Sequence, residues 1–316
     1  AVNALADGDT LTLCTDYEGQ IAVQEKNIII DLGGHTVTYT EWGGNAINIA
    51  QNTTDTNTVT VKNGTIVAKG QGAAAIYAKL GGPAGSAYNG TNTLTLTLGE
   101  DLTITSDAER YGKVWLGDGA RVASTASEYI TKGGLQVGEW IYGTTRTAFA
   151  QANGAEVTLL HDWYCYDSNG AVLVPDDATY SSAVLNLQGN TINYYGSTPI
   201  IQMGDPNAPA AGTNSKSLTV KKGSISSSYG AAVCGSNKTL VLDNVALTTT
   251  STEKFGIYTN GMTTGNSITL KNSSVTSEKA TGIYFPGAGT LTVENSNVTG
   301  ALSGIEIRAG ELTVSG

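Results

Sequence analysis

The sequence predicts an all-β chain folded as a right-handed, single-stranded parallel β-helix, and three observations carry that prediction. A short strand phrase recurs at near-constant intervals, a polar Asn-rich corner follows it, and a larger duplication relates the two halves of the chain. Internal repeats of this period point to stacked arrays in which no unit is stable alone.

The strand phrase is clearest near the C-terminus. It starts at Leu218, Leu240, Ile268, Leu291 and Leu312, spaced 22, 28, 23 and 21 residues apart. In Leu218-Thr-Val220 and Leu291-Thr-Val293 the apolar residues stand two apart, so they face one side while Thr faces solvent. Asn follows in several copies, and Asn tolerates the left-handed backbone of a sharp corner. A second phrase falls between the repeats: Gly256-Ile-Tyr258, Gly282-Ile-Tyr284 and Gly304-Ile-Glu-Ile307. A bend after three or four residues makes one side of a coil, with the next coil stacked roughly 4.8 Å further on.

The duplication pairs Asp31-Leu-Gly-Gly-His-Thr-Val37 with Asn186-Leu-Gln-Gly-Asn-Thr-Ile192, and residues 57–66 with residues 216–225. Each copy is preceded by an Ala-rich lead-in, residues 1–11 and 148–157, which reads as a short capping helix before the first strand. A cap is needed because the first coil exposes an open core and unpaired strand edges. The expected division is two tandem modules, 1–145 and 146–316. One continuous superhelix with an inserted helix is the alternative. The chain stops in mid-phrase at Val314-Ser-Gly316 and begins Ala1-Val2-Asn3 without Met. Either a neighbouring module that continues the stack or a partner that protects the last coil is therefore expected, together with a removed leader.

Composition narrows the function classes. Charged residues are 14% of the chain, the net charge is −10, and the seventeen basic residues are scattered. No basic groove for phosphates is present, so nucleic acid is not an expected partner. No stretch approaches the roughly eighteen apolar residues of a membrane span. Of the three cysteines, Cys14 and Cys234 read as small buried core residues, and no zinc or redox spacing occurs.

Gly8-Asp-Thr-Leu-Thr-Leu13, followed by Ile28-Ile-Ile-Asp-Leu-Gly-Gly-His-Thr-Val37, resembles the opening of pectate-lyase-like (pectin-lyase-like) β-helix modules. Such modules occur in large repetitive surface proteins of Gram-positive bacteria. The resemblance implies the scaffold, a secreted or cell-surface location and contact with neighbouring modules. It leaves function open, because this scaffold hosts lyases, hydrolases, adhesins and spacers.

Lyases of this fold hold Ca2+ in a carboxylate cluster and abstract a proton with Arg or Lys. Calcium prefers six to eight oxygen ligands. Glu100-Asp101 is the densest acidic candidate, and it reads first as a solvated turn, so no cofactor is expected. Asp243, Lys271 and Glu294 recur at one repeat position and predict a mixed-charge column. Hydrolases of the fold place aspartates at acid–base separations. Asp176-Asp177 is the one adjacent Asp pair, in a loop after Pro175, and the accompanying His-Gly and Arg-x-Lys signatures are missing. His35 stands where the second copy has Asn190 and reads as a turn residue.

Trp140, Trp163, Tyr164, Tyr166, Tyr194 and Tyr195 crowd the module boundary and the first coils of the second module. They either stack on sugar rings or pack the junction. Tyr258 and Tyr284 form a column that is either a core-edge ladder or a surface strip. The expected function is a non-enzymatic stalk or adhesin module of a larger bacterial protein, with a polysaccharide or host glycan as the partner. A polysaccharide lyase or glycoside hydrolase is the alternative.

Overall fold

A computed structural model describes residues 2–51, 57–70, 72, 74–81, 92–166, 170–205, 212–250 and 255–316. The protein is all-β, with 51% of the described residues in strands and 6% helical. It divides into two compact units, Ala1–Gln151 and Ala152–Gly316. The first unit thus runs six residues past the boundary expected from the sequence.

In the first unit every third strand pairs in parallel with its predecessor. One ladder joins Thr10–Thr12, Ile29–Asp31, Asn57–Lys62, Leu94–Leu98 and Ala120–Ala123. A second joins Tyr17–Glu18, Thr36–Tyr39, Gly64–Ala68 and Leu102–Ser106. A third joins Ile21–Gln24, Ile47–Gln51, Ile76–Leu80 and Val114–Leu116. Strict alternation buries Val59, Val61, Ile66, Ile76, Leu94 and Leu96 on the inner face.

The unit ends differently from its body. Ala120–Ala123 pairs antiparallel with Trp140–Tyr142, which pairs antiparallel with Leu135–Val137. Gly138, at φ +55, opens the two-residue turn of that hairpin, a conformation that favours glycine. Helix α1, Thr145–Ala152, follows. Thr144 Oγ1 donates to Asp118 Oδ1 at 2.7 Å, and Gly119 N–H donates to Thr147 Oγ1 at 2.9 Å. These bonds tie the start of α1 to the Asp118–Gly119 turn of the first unit. The N-terminal lead-in makes only a 3-10 turn, Val2–Ala4, with no buried side chain.

The second unit repeats the arrangement. Its first ladder runs through Glu156–Leu159, Ser182–Asn186, Lys216–Ser227, Lys238–Thr249, Thr264–Lys271, Ala288–Glu294 and Glu311–Ser315. Leu218, Leu240, Ile268, Leu291 and Leu312 stand directly in register. The second ladder takes Trp163–Cys165, Thr191–Tyr194, the far halves of Lys216–Ser227 and Lys238–Thr249, then Ser274–Ser277 and Asn297–Gly300. The third takes Val172–Val174, Ile201–Met203, Ala231–Val233, Ile257–Thr259, Ile283–Phe285 and Ile305–Ile307.

The duplicated phrases have matching jobs. Asp16 Oδ1 accepts from Thr36 N–H at 2.9 Å, and Asp162 Oδ1 from Thr191 N–H at 2.8 Å. A Cβ on Gly64 would lie 2.5 Å from Leu32 Cβ, and one on Gly223 2.5 Å from Leu187 Cβ. His35 is a turn residue with Nδ1 3.5 Å from Asp16 Oδ1, while its counterpart Asn190 donates to Leu159 O at 3.0 Å. Cys234 is buried, but Cys14 is exposed. Leu11 and Leu13 share the inward parity, which turns Thr12 and Cys14 outward.

Candidate functional site

The corner between the first and second ladders of the second unit is built from single left-handed residues. Lys222, Asn244, Asn272 and Asn295 hold φ of 59, 56, 47 and 45. They follow Lys221, Asp243, Lys271 and Glu294, which are paired in register, so the four corners stack in one column. Gln188, at φ 51, sits in the wider corner of the preceding coil, where Gly189 N–H donates to Lys222 O at 2.7 Å. One left-handed residue redirects the chain without a loop, and stacking then makes the bend continuous.

Serine hydroxyls brace this corner. Ser273 Oγ accepts from Val245 N–H at 3.0 Å and donates to Lys271 O at 2.6 Å. Ser296 Oγ accepts from Ser273 N–H at 2.9 Å and donates to Glu294 O at 2.7 Å. Each hydroxyl satisfies an amide whose ladder partner the bend has turned away. The outer side of the corner is an open groove of about 1060 Å3, running from Gln188 past Lys222 and Asn244 to Asn295.

The side-chain amides of Asn244, Asn272 and Asn295 are exposed in that groove and make no hydrogen bond among the described residues. Charges along the border offset one another. Lys221 Nζ lies 2.5 Å from Glu156 Oε2, and Lys221, Asp243, Lys271 and Glu294 alternate in sign. Lys221 holds the Glu156 carboxyl below its ordinary range, aided by the Asn186 amide and opposed by burial. Among the described residues Lys222 is the one charged side chain lining the groove, and with Lys221 and Lys271 it faces Glu156, Asp243 and Glu294 around the border, three lysines to three carboxylates. The groove therefore supplies mainly neutral donors and acceptors, with border charges that balance.

The carboxylates singled out from sequence stand apart. Asp176 Oδ1 accepts from Lys238 Nζ at 2.7 Å, and Asp177 is exposed beside it. Glu100 and Asp101 are exposed, and Asp101 offers its backbone carbonyl to Gly64 N–H at 3.1 Å. Among the described residues no three His, Cys, Asp or Glu side chains gather.

The aromatics fall into different environments. Tyr194 is 2% exposed, and its hydroxyl lies 2.6 Å from Thr198 Oγ1, so burial raises its pKa and its ring belongs to the core. Tyr195, on the opposite parity, is 55% exposed and stacks on Tyr166 at 4.9 Å. Trp163 shares the inward parity of Cys165, and Tyr164 alternates to the outside; both are half-buried. In the first unit the Arg121 guanidinium lies 3.9 Å from the Trp140 ring.

Tyr258 and Tyr284 are in register on the third ladder, half-buried. Phe255 stacks on Tyr284 at 4.6 Å and Arg308 lies 5.1 Å over the same ring, so this column spends its ring faces on neighbours. Trp115 is likewise flanked by Tyr77 at 4.3 Å and Tyr111 at 4.2 Å. Burial, with the nearby Cys234 adding to it, raises the Tyr258 pKa. Sequence reasoning passed over Trp42, 81% exposed, and read the corner asparagines only as turn formers. Their recurrence at one repeat position was the available signal.

Among the described residues no helix is long and apolar enough to cross a membrane. The chain matches no protein-family model, no curated protein and no solved structure.

Proposed function

We propose that the chain is a non-enzymatic, secreted or cell-surface module of a larger bacterial protein. Its two units are read as right-handed parallel β-helices of the pectate-lyase-like kind, serving as a rigid stalk or adhesin segment that contacts glycans. The observation that carries this reading is the use made of the charged side chains. Asp176 neutralises Lys238, Glu156 neutralises Lys221, and Asp31 lies 3.4 Å from Lys62. Each carboxylate is spent on holding one coil to another.

A lyase or hydrolase needs acids converging on one substrate bond. Within each unit three in-register strands per coil supply instead a regular stacked core, the requirement of a spacer. Incubation with a panel of plant and host glycans, with and without Ca2+, tests the reading. Binding without unsaturated or reducing-end products is the expected outcome. Product release from any substrate overturns it in favour of the enzymatic alternative.

A further inference from the structure

We propose that the corner groove of the second unit is the glycan site, and that its ligand is a neutral, unbranched polysaccharide lying along the asparagine column. The proposal rests on the glycan-contact part of the reading above and names a place and a ligand class for it.

Three properties of the groove lead there. First, its amides are presented without partners. Asn244, Asn272 and Asn295 are exposed, in the groove, and free of hydrogen bonds among the described residues. Each amide offers two donor hydrogens and an acceptor oxygen, matching the mixed donor–acceptor character of sugar hydroxyls. The left-handed backbone does not by itself demand Asn, since Gln188 and Lys222 hold φ of 51 and 59 beside them.

Second, the amides repeat at strand spacing. Consecutive corners are one coil apart, roughly 4.8 Å, so three amides span about 10 Å. An extended pyranose chain advances by close to one coil per sugar, so successive rings meet equivalent amides. The corner is also fixed in advance, because Ser273 and Ser296 hold its backbone through hydrogen bonds of 2.6 to 3.0 Å. Little conformational entropy is lost when a ligand settles on it.

Third, the electrostatics select a neutral chain. The border column alternates Lys221, Asp243, Lys271 and Glu294, and the whole protein carries a formal charge of −10. A polyuronate would meet Glu156, Asp243 and Glu294 as often as Lys221, Lys222 and Lys271.

The test uses the whole chain and the variant Asn244→Gly/Asn272→Gly/Asn295→Gly. Glycine accepts positive φ, so the variant removes the amides and leaves the corner conformation available. Binding of cellohexaose, mannohexaose, xylohexaose and hexagalacturonate is measured by calorimetry. At least one neutral hexasaccharide should bind, hexagalacturonate should not, and the triple variant should lose about tenfold or more in affinity, three amide hydrogen bonds being removed.

Side-chain amide resonances of the unaltered protein give a second readout that does not depend on the variant folding. Those of Asn244, Asn272 and Asn295 should shift on titration. Absence of binding by every neutral oligosaccharide, unchanged affinity in the triple variant, or amide resonances that stay still while sugar binds each overturn the groove assignment. If Tyr195→Ala abolishes binding that the triple variant keeps, the glycan sits on the Tyr166–Tyr195 stack, and the module reading survives without the groove. Product release in the same incubations removes the non-enzymatic reading and leaves the groove result standing.

Discussion

Lys238 and Asp176 lie 62 residues apart in sequence and meet at 2.7 Å, with the lysine side chain 0% exposed. The ammonium has three protons and three acceptors: Asp176 Oδ1, Asn214 O at 2.6 Å and Ser236 O at 2.8 Å. Asn214 Nδ2 donates in turn to Asp176 O at 3.1 Å. Directly before it in the ladder, Lys216 Nζ donates to Ala178 O at 2.5 Å and Tyr180 O at 2.7 Å. Two buried lysines thus fasten the segment 176–180 to the strands beside it.

Replacing Asp176 by Asn should therefore destabilise the protein. The change leaves a buried ammonium without its counter-charge. About 3 kcal/mol is expected, the low end for a broken buried pair because the Asp176 side chain keeps 25% exposure. Asp177→Asn, at an exposed neighbour, should stay within about 0.5 kcal/mol. Urea unfolding of both variants is the measurement, and equal effects would rule out the clamp.

Glycine substitutions separate crowding from backbone strain at the same corner. A Cβ on Gly223 meets Leu187 Cβ and Asn190 O at 2.5 Å, although its φ is ordinary. Gly189 has φ +87 and nothing within 4 Å of a built Cβ. Gly223→Ala should cost about 1–3 kcal/mol or more through overpacking. Gly189→Ala should cost about 1 kcal/mol through the left-handed backbone alone. Thermal unfolding should rank Gly223→Ala as the less stable, and the reverse order would mean that the core yields around Leu187.

Two carboxylates set the acid limb of stability. Gly33 N–H and the Asn63 amide, with a lesser contribution from Lys62, hold the Asp31 carboxyl below its ordinary range, against the opposing effect of desolvation. Glu156 is held down chiefly by Lys221. A carboxyl with a depressed folded pKa stabilises the fold fully above its unfolded value, about 4. That contribution disappears as the pH falls through the lower folded value. Unfolding free energy should therefore decline below about pH 4, and Glu156→Gln should flatten the decline. An unchanged slope in that variant would show that the Lys221 contact does not persist in solution.

Much of the fold was legible because its causes are local. The phrase at Leu218, Leu240, Ile268, Leu291 and Leu312 alternates with period two and pairs in the register its spacing implies. Tyr194 and Tyr195 were grouped together from the sequence, although Ile192 fixes the inward face and parity places Tyr194 with it and Tyr195 outside. The sequence did not disclose that the start of α1 bonds to Asp118 and Gly119, because those contacts reach back 26 to 28 residues. Nor did it disclose the role of Asp176. Parity puts Lys238 inward against hydropathy, and only the folded turn brings an acid to meet it. The groove was hidden for another reason: single corner asparagines are ordinary turn residues until stacking lines them up.

Thiol chemistry gives a last check on the parity argument. Cys14 is exposed, one residue beyond inward-facing Leu13. Cys234 is 2% exposed, and burial, with the Asp205 charge adding to it, pushes its thiol up to about 11. The thiolate is the reactive form, so at mildly alkaline pH Cys234 is both inaccessible and protonated. Alkylation of the native protein followed by peptide mass spectrometry should label Cys14 first and leave Cys165 and Cys234 until the chain unfolds. Early labelling of Cys234 would mean that the third ladder opens locally near Val233, and protection of Cys14 would invert the parity of the first strand.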